Sequence, residues 1–536
     1  MELGDLLDAL ASPDAYGLSP EVEVEVVQTH ISAVFLVGED VYKLKKPVAL
    51  EFLDYSTLEQ RRHFCEREVE LNRRLAPDVY LGVLPVVRRG EAIRVGGEGE
   101  VVDYVVHMRR LPDEAQLGRR VEAGEISPRE IEALGRRIAR FHRDARRGDD
   151  VSAHARFSEF AGHCAQNLHY VEPLDFVSET LEARVVRAMD AALACARPAI
   201  ERRAEALVPR DAHGDLRLDH VYLFPDRAPP DDLVIVDCIE FGDALRCVDP
   251  VSDLAFLSMD LRRVGRDDLA EALVASYFDE LARLGPLGVV RPPEGDEIEE
   301  GRALLPLFEA YRASVRAKVD GLRARDPRFS LEARAEAERG VHRHLLLTLR
   351  ALLPPAERPC LVLVAGLPGT GKSTLAGGLA EEGFDWVRSD VLRKRLFAEA
   401  SQRGEETGPM YGSEFSDRTY AACLDEARAT LLDGGRVVVD ANFRSAARRA
   451  PFVALARGLS VPLVIFECVL DEATVRDRLE RRVDDPSDAD FDVYLAVRGE
   501  WEPIGEELTP VAIETSATPE EALAKAKRTL RGMGLA

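Results

Sequence analysis

The sequence predicts two domains of different class, an α+β half followed by a parallel α/β half. Three observations carry this. The chain has 536 residues, more than one hydrophobic core usually organises. Three prolines in Leu352-Leu-Pro-Pro-Ala-Glu-Arg-Pro359 interrupt a helical pattern immediately before an apolar strand, CLVLVAG. Upstream of that stretch β-branched runs precede long helical patterns, whereas downstream apolar strands alternate with helices. Domains are therefore expected at 1–350 and 360–536, with 351–359 as a linker.

Taken in order, EVEVEVVQTH, SAVFLVG and DVYKLKK alternate with period two and predict strands. EQRRHFCEREVELNRRL carries apolar residues at helical spacing. Residues 125–205 read mostly as helix, VYLF and LVIVDCIEF as short strands, and 253–350 as a second helical block. Beyond the linker, strands are expected at 361–365, 436–440, 461–468 and 511–515, with a short one in FDWVRSD.

Composition narrows the partners. Lys+Arg 71 against Asp+Glu 96 leaves a formal charge of −25, a field that disfavours nucleic acid and anionic lipid. The eight cysteines form no C-x-x-C pair, which points to reduced, mostly buried thiols and not to a disulfide or zinc framework. No apolar run reaches the roughly 18 residues of a membrane span, and MELGDLLDAL is acidic where a secretory signal is basic, so a cytoplasmic protein is expected.

Gly366-Leu-Pro-Gly-Thr-Gly-Lys-Ser373 fits G-x-x-x-x-G-K-[ST] between a strand and a helix. Gly366, Gly369 and Gly371, with Thr370 and Thr374, would turn backbone N–H groups onto phosphates; Lys372 would contact the β and γ oxygens, and Ser373 would offer its hydroxyl to Mg²⁺. Asp390 can accept the proton of a substrate hydroxyl, or simply cap a helix. Asp440 ends the strand RVVVD and suits the Mg²⁺ shell, or is a plain strand end. The run Arg476-Asp-Arg478-Leu-Glu-Arg481-Arg482 can close over a triphosphate, Arg478 and Arg481 stabilising transferring charge, or can be a solvated helix face.

These residues, with the SD-x-x-R segment through Arg393 and the strand VVVDANF, resemble the P-loop kinases related to gluconate kinase over roughly 360–536. The resemblance implies a five-stranded parallel sheet, ATP and Mg²⁺ as cofactors, and phosphoryl transfer to a hydroxyl.

In the first half, His213-Gly-Asp-Leu-Arg-Leu-Asp-His220, Val234-Ile-Val-Asp-Cys-Ile-Glu-Phe241 and Asp249-Pro-Val-Ser-Asp253 bring several carboxylates near short strands, a grouping that phosphoryl transfer requires. The cluster resembles the aminoglycoside phosphotransferase group, with its protein-kinase-like α+β fold, over roughly 25–320. That resemblance implies Asp215 as catalytic base, Asp237 as metal ligand and Asp253 as a brace for the catalytic loop. Lys45 is the first choice for the phosphate-binding lysine, with Lys43 on the same strand face as runner-up, and Glu68, ahead of Glu66, would hold it. Two departures stand out. His220 replaces the metal-binding Asn of the family, and the region THISAVFLVGED lacks G-x-G-x-x-G.

The fusion as a whole resembles a bacterial group of two-domain predicted kinases. Both halves are expected to bind ATP and Mg²⁺, and at least the carboxyl-terminal half, with a bifunctional chain as the favoured reading, to phosphorylate a small hydroxylated metabolite such as a sugar, polyol or aminoglycoside-like compound. The rival readings are a ligand-sensing amino-terminal half that gates the P-loop kinase, and an ATP-hydrolysing switch. A polynucleotide kinase is least favoured by the charge.

Overall fold

A computed structural model describes residues 2–50, 53–172, 174–289, 296–403, 405, 408–481, 489–505, 508–516 and 518–536. The chain forms two compact units: Met1–Ala161, Ala196–Leu261 and Arg266–Phe308 make one, and Gly162–Cys195, Arg262–Gly265 and Glu309–Ala536 the other.

The first unit contains a six-stranded antiparallel sheet. Its order is Val24–Gln28, Ser32–Val37, Asp40–Lys45, Glu100–Arg109, Tyr80–Arg89, Ala92–Val95. Because successive side chains alternate faces, Ala33, Phe35 and Leu44 fill one core while Lys43 and Lys45 point to the other side. Helix Leu58–Asn72 covers that second side through Cys65 and Val69. Thr57 and Gln60 cap its start reciprocally. Helices Pro128–Asp144 and Asp267–Leu284 pack closely at Gly135, where a Cβ would sit 2.7 Å from the Leu273 carbonyl oxygen. Two small antiparallel pairs, Val221–Leu223 with Leu233–Ile235 and Arg210–Asp211 with Cys247–Val248, frame the loops that carry the acidic cluster.

The second unit is built on a parallel five-stranded sheet in the order Asp385–Arg388, Arg436–Asp440, Cys360–Gly366, Leu463–Val469, Val511–Glu514. Parallel sheets need cover on both faces. On one face Val362 and Val364 pack with Leu375, Ala376 and Leu379; on the other Leu361 and Leu363 share a core with Ala427 and Leu431 of helix Ser413–Leu432 and Phe452 and Leu455 of helix Ala446–Leu459, and Leu345 and Leu349 of helix Leu331–Leu352, with Leu181 and Val185, extend that core. The unit division therefore differs from the one placed at 351–359. The prolines there do end a helix, but that helix belongs to the sheet's second face, so residues 309–350 lie in the P-loop unit.

All eight cysteines are free, and Cys195 alone is exposed. Among the described residues no helix is long and apolar enough to cross a membrane.

Candidate functional site

In the second unit, strand Cys360–Gly366 runs into a tight loop that ends at helix Lys372–Glu381. Gly369 and Gly371 have φ of +77° and +87°, a region that favours glycine. Thr370 Oγ1 donates to the Leu367 carbonyl at 2.8 Å, and Thr515 Oγ1 donates to the Thr370 carbonyl at 2.7 Å, so the loop is braced from both sides. Lys372 Nζ lies 2.9 Å from the Leu367 carbonyl oxygen. Ser373 Oγ donates to Asp440 Oδ2 at 2.7 Å. Burial pushes the Asp440 carboxyl up, against the pull of Lys372 and the Ser373 hydroxyl. A cavity of about 260 Å³ opens here, lined by Gly369, Gly371, Lys372, Ser373, Thr374 and Arg478 among others.

The arginine run divides. Arg478 Nη2 donates to the Thr515 carbonyl at 2.6 Å and lines the cavity. Arg481 pairs with Asp477 at 2.7 Å and is 78% exposed, so it is not part of the cavity wall. Arg476 lies 3.7 Å from the Phe491 ring centre, and Arg482 falls outside the described residues. Asp390 sits in the first turn of helix Ser389–Gln402, whose cap is Arg388, so capping does not account for it. Its charge reaches both Asp440 and the buried Arg393, which donates to the Met410 carbonyl and Ser416 Oγ, each at 3.0 Å.

In the first unit, Glu68 is fully buried and accepts from two lysines: Lys43 Nζ at 2.8 Å and Lys45 Nζ at 2.6 Å. Lys43 also meets Asp237 Oδ1 at 2.9 Å. Lys45, the first choice from sequence, is 1% exposed and pairs with Glu240, which also accepts from Tyr55 Oη at 2.6 Å. Lys43 is thus the lysine beside the metal-type carboxylate, while Glu66 points outward to Arg62. The Lys43 ammonium holds the Asp237 carboxyl well below the usual range, against the partial desolvation of this half-exposed group. Asp237 has φ of +64°, and its N–H donates to Tyr80 Oη at 3.2 Å.

Asp253, fully buried, accepts from the backbone N–H groups of His213 and Gly214 at 3.0 and 2.8 Å and from His142 Nε2 at 3.1 Å. It thereby pins the loop that presents Asp215. Arg217 Nε lies 3.3 Å from Asp215 Oδ1, and His220 Nδ1 lies 2.8 Å from the Asp215 carbonyl oxygen. Burial pushes His213 down to about 4, and its Nε2 meets the Val236 carbonyl at 3.0 Å.

Sequence reasoning missed Glu240, Tyr55, Tyr80 and Asn72, whose Oδ1 accepts from the Cys238 N–H at 2.9 Å. Glu240 was visible as an acidic residue inside the apolar run VIVDCIEF; nothing local marked the other three.

Residues 361–504 match the AAA domain family. Solved structures similar to the chain include an unliganded sugar kinase from Janibacter sp. HTCC2649, with TM-score 0.26 and 16% identity, covering 32% of this chain and 95% of that one. A gluconokinase from Sinorhizobium meliloti 1021 gives 0.26 and 18%, covering 33% and 94%. Along nearly the whole chain the likeness is to mycobacterial proteins. The uncharacterized protein Rv2004c of Mycobacterium tuberculosis (strain ATCC 25618 / H37Rv) is 32% identical over 501 residues, 91% of this chain and 93% of that protein, and Mb2027c of Mycobacterium bovis gives the same figures. A match of that extent runs through both units, and the chain belongs to the family of these mycobacterial proteins.

Proposed function

We propose that the chain is an ATP-dependent phosphotransferase with one site in each unit, each passing the γ-phosphate of ATP to a hydroxyl of a small metabolite. The observation that carries this is common to both units: a lysine stands beside a carboxylate suited to a metal, Lys372 by the Ser373–Asp440 pair and Lys43 by Asp237.

In the P-loop unit the loop N–H groups and Lys372 bind phosphate, and Ser373 and Asp440 are oxygen donors of the kind Mg²⁺ takes. Mg²⁺, when bound there, neutralises charge on the phosphate oxygens. Asp390 accepts the proton of the acceptor hydroxyl as its oxygen bonds to the γ-phosphorus and the bond to ADP breaks; Arg478 stabilises the transferring charge. In the first unit Asp215 takes the acceptor proton, Lys43 contacts phosphate, and Glu68 and Glu240 hold the two lysines. The antiparallel strands with helix Leu58–Asn72 inserted ahead of Tyr80–Arg89, and the loop braced by Asp253, support a protein-kinase-like reading of this unit.

The test is acceptor-dependent ADP release across sugars, polyols, aminoglycosides and nucleosides, in Lys372→Ala and Asp215→Asn variants. Each variant should lose one set of acceptors and keep the other. ADP release that no acceptor stimulates would overturn the assignment in favour of an ATP-hydrolysing switch. His220 beside Asp215 favours one alternative for the first unit, ligand sensing without transfer; Asp215→Asn would then leave every turnover unchanged.

A further inference from the structure

We propose that the amino-terminal site is a mixed nitrogen–oxygen site for a first-row transition cation, preferring Mn²⁺ to Mg²⁺, formed by His220 Nε2 and Asp237 Oδ2 beside Asp215. The cation's role in phosphoryl transfer rests on the function proposed above; its binding does not. The ligand atoms of these three side chains all lie within 4.8 Å of one another, and among the described residues no other group of three His, Cys, Asp or Glu does so.

The imidazole is already set as a ligand. Arg217 Nη2 lies 3.1 Å from His220 Nε2, and a guanidinium can only donate, so Nε2 carries a lone pair. The proton is therefore on Nδ1, which donates to the Asp215 carbonyl at 2.8 Å. Metal-bound histidines are typically held this way, the far nitrogen tied to a carbonyl and the near one free to coordinate. The backbone that carries the ring is held as well: the His220 carbonyl accepts from the Val236 N–H at 2.9 Å, and the His220 N–H donates to the Arg217 carbonyl at 3.1 Å.

Asp237 supplies the second donor. Its Oδ1 is engaged by Lys43, which leaves Oδ2 facing His220 Nε2 at 3.5 Å. With the imidazole proton on Nδ1, both Nε2 and Oδ2 are acceptors, so a cation placed between them can take a lone pair from each. Neighbouring ligands on a cation with bonds of about 2.1 Å sit about 3 Å apart, so only a small closure is needed. A cation at Nε2 would take the place of the Arg217 guanidinium, whose Nη1 keeps Asp219 Oδ2 at 3.4 Å as a partner.

The donor set decides the metal. Mg²⁺ demands oxygen ligands, whereas imidazole raises affinity along the transition series. Ser373 and Asp440 offer oxygen only, so the same chain provides an internal contrast.

The experiment is Mn²⁺ titration of the nucleotide-free full chain by electron paramagnetic resonance, followed by competition with Mg²⁺. One Mn²⁺ should bind and resist an excess of Mg²⁺; Asp440→Asn should retain it. His220→Asn should weaken Mn²⁺ by about tenfold or more and let Mg²⁺ compete. Unchanged Mn²⁺ affinity in His220→Asn, or loss of the bound ion in Asp440→Asn, would overturn the proposal. If His220→Asn does not fold by near-ultraviolet circular dichroism, Asp237→Asn decides: loss of the ion supports the site, and retention overturns it. The titration needs no turnover, so failure of acceptor phosphorylation and failure of metal selectivity are separate results.

Discussion

The ammonium groups of Lys43 and Lys45 divide the two oxygens of Glu68 between them, Oε1 to Lys43 at 2.8 Å and Oε2 to Lys45 at 2.6 Å. Their second partners separate their roles. Lys45 turns inward to Glu240, and Lys43 turns to the half-exposed Asp237.

Lys45→Met should therefore act on the fold. It leaves Glu68 and Glu240 buried around one missing charge, and breaking a buried pair in that way costs about 3–5 kcal/mol. Lys43→Met leaves Glu68 paired to Lys45 and Asp237 open to water, so it should cost less than Lys45→Met while removing the ATP binding proposed for this site. Urea unfolding and nucleotide titration of both variants check the split; equal stability losses would contradict it.

Arg478→Ala should raise KM for ATP at the P-loop site by about ten- to a hundredfold, because it removes a guanidinium from the cavity wall where a charge-assisted contact to phosphate is proposed. Arg481→Ala should change it by no more than about twofold, since its exposed pair with Asp477 is worth about 0–1 kcal/mol. Steady-state kinetics in an Asp215→Asn background separates the two.

A fragment starting at residue 355 should be poorly soluble, because it strips Leu345 and Leu349 from the core that Leu361 and Leu363 share with helices Ser413–Leu432 and Ala446–Leu459 and exposes apolar surface there. In the intact protein Leu349→Ala should cost about 2–5 kcal/mol, read from the unfolding midpoint. A soluble, cooperatively folded 355–536 fragment would show that the second face does not need this helix.

Burial lowers the His344 imidazole below its ordinary value, against the pull of Asp320 at 2.9 Å. A histidine depressed in the folded state favours the unfolded chain once that chain takes up the proton. Its contribution is therefore present above about pH 6.5 and is lost as pH falls below that. His344→Gln should flatten the fall in unfolding midpoint between neutral and mildly acidic pH; an unchanged slope would assign that fall to other groups.

Features that depend on neighbours in the chain were legible from sequence alone. The P-loop from Gly366 to Ser373, Asp440 at its strand end, and the His213–His220 loop are short segments whose backbone geometry their own residues dictate, through glycine at positive φ and carboxylates at strand termini. Sequence also placed Lys43 and Lys45 on one face, since side chains alternate along a strand. It could not choose between them. That choice belongs to Asp237 and Glu240, which arrive 194 and 195 residues later and reach different lysines. Arg478 and Arg481 were equivalent as letters, but the helix ends at Glu480 and Arg481, past its last turn, folds back to Asp477. The unit boundary was likewise a tertiary decision. Prolines end the helix before the linker, yet only the folded chain shows that helix Leu331–Leu352 joins helices Ser413–Leu432 and Ala446–Leu459 in the core on the sheet's second face.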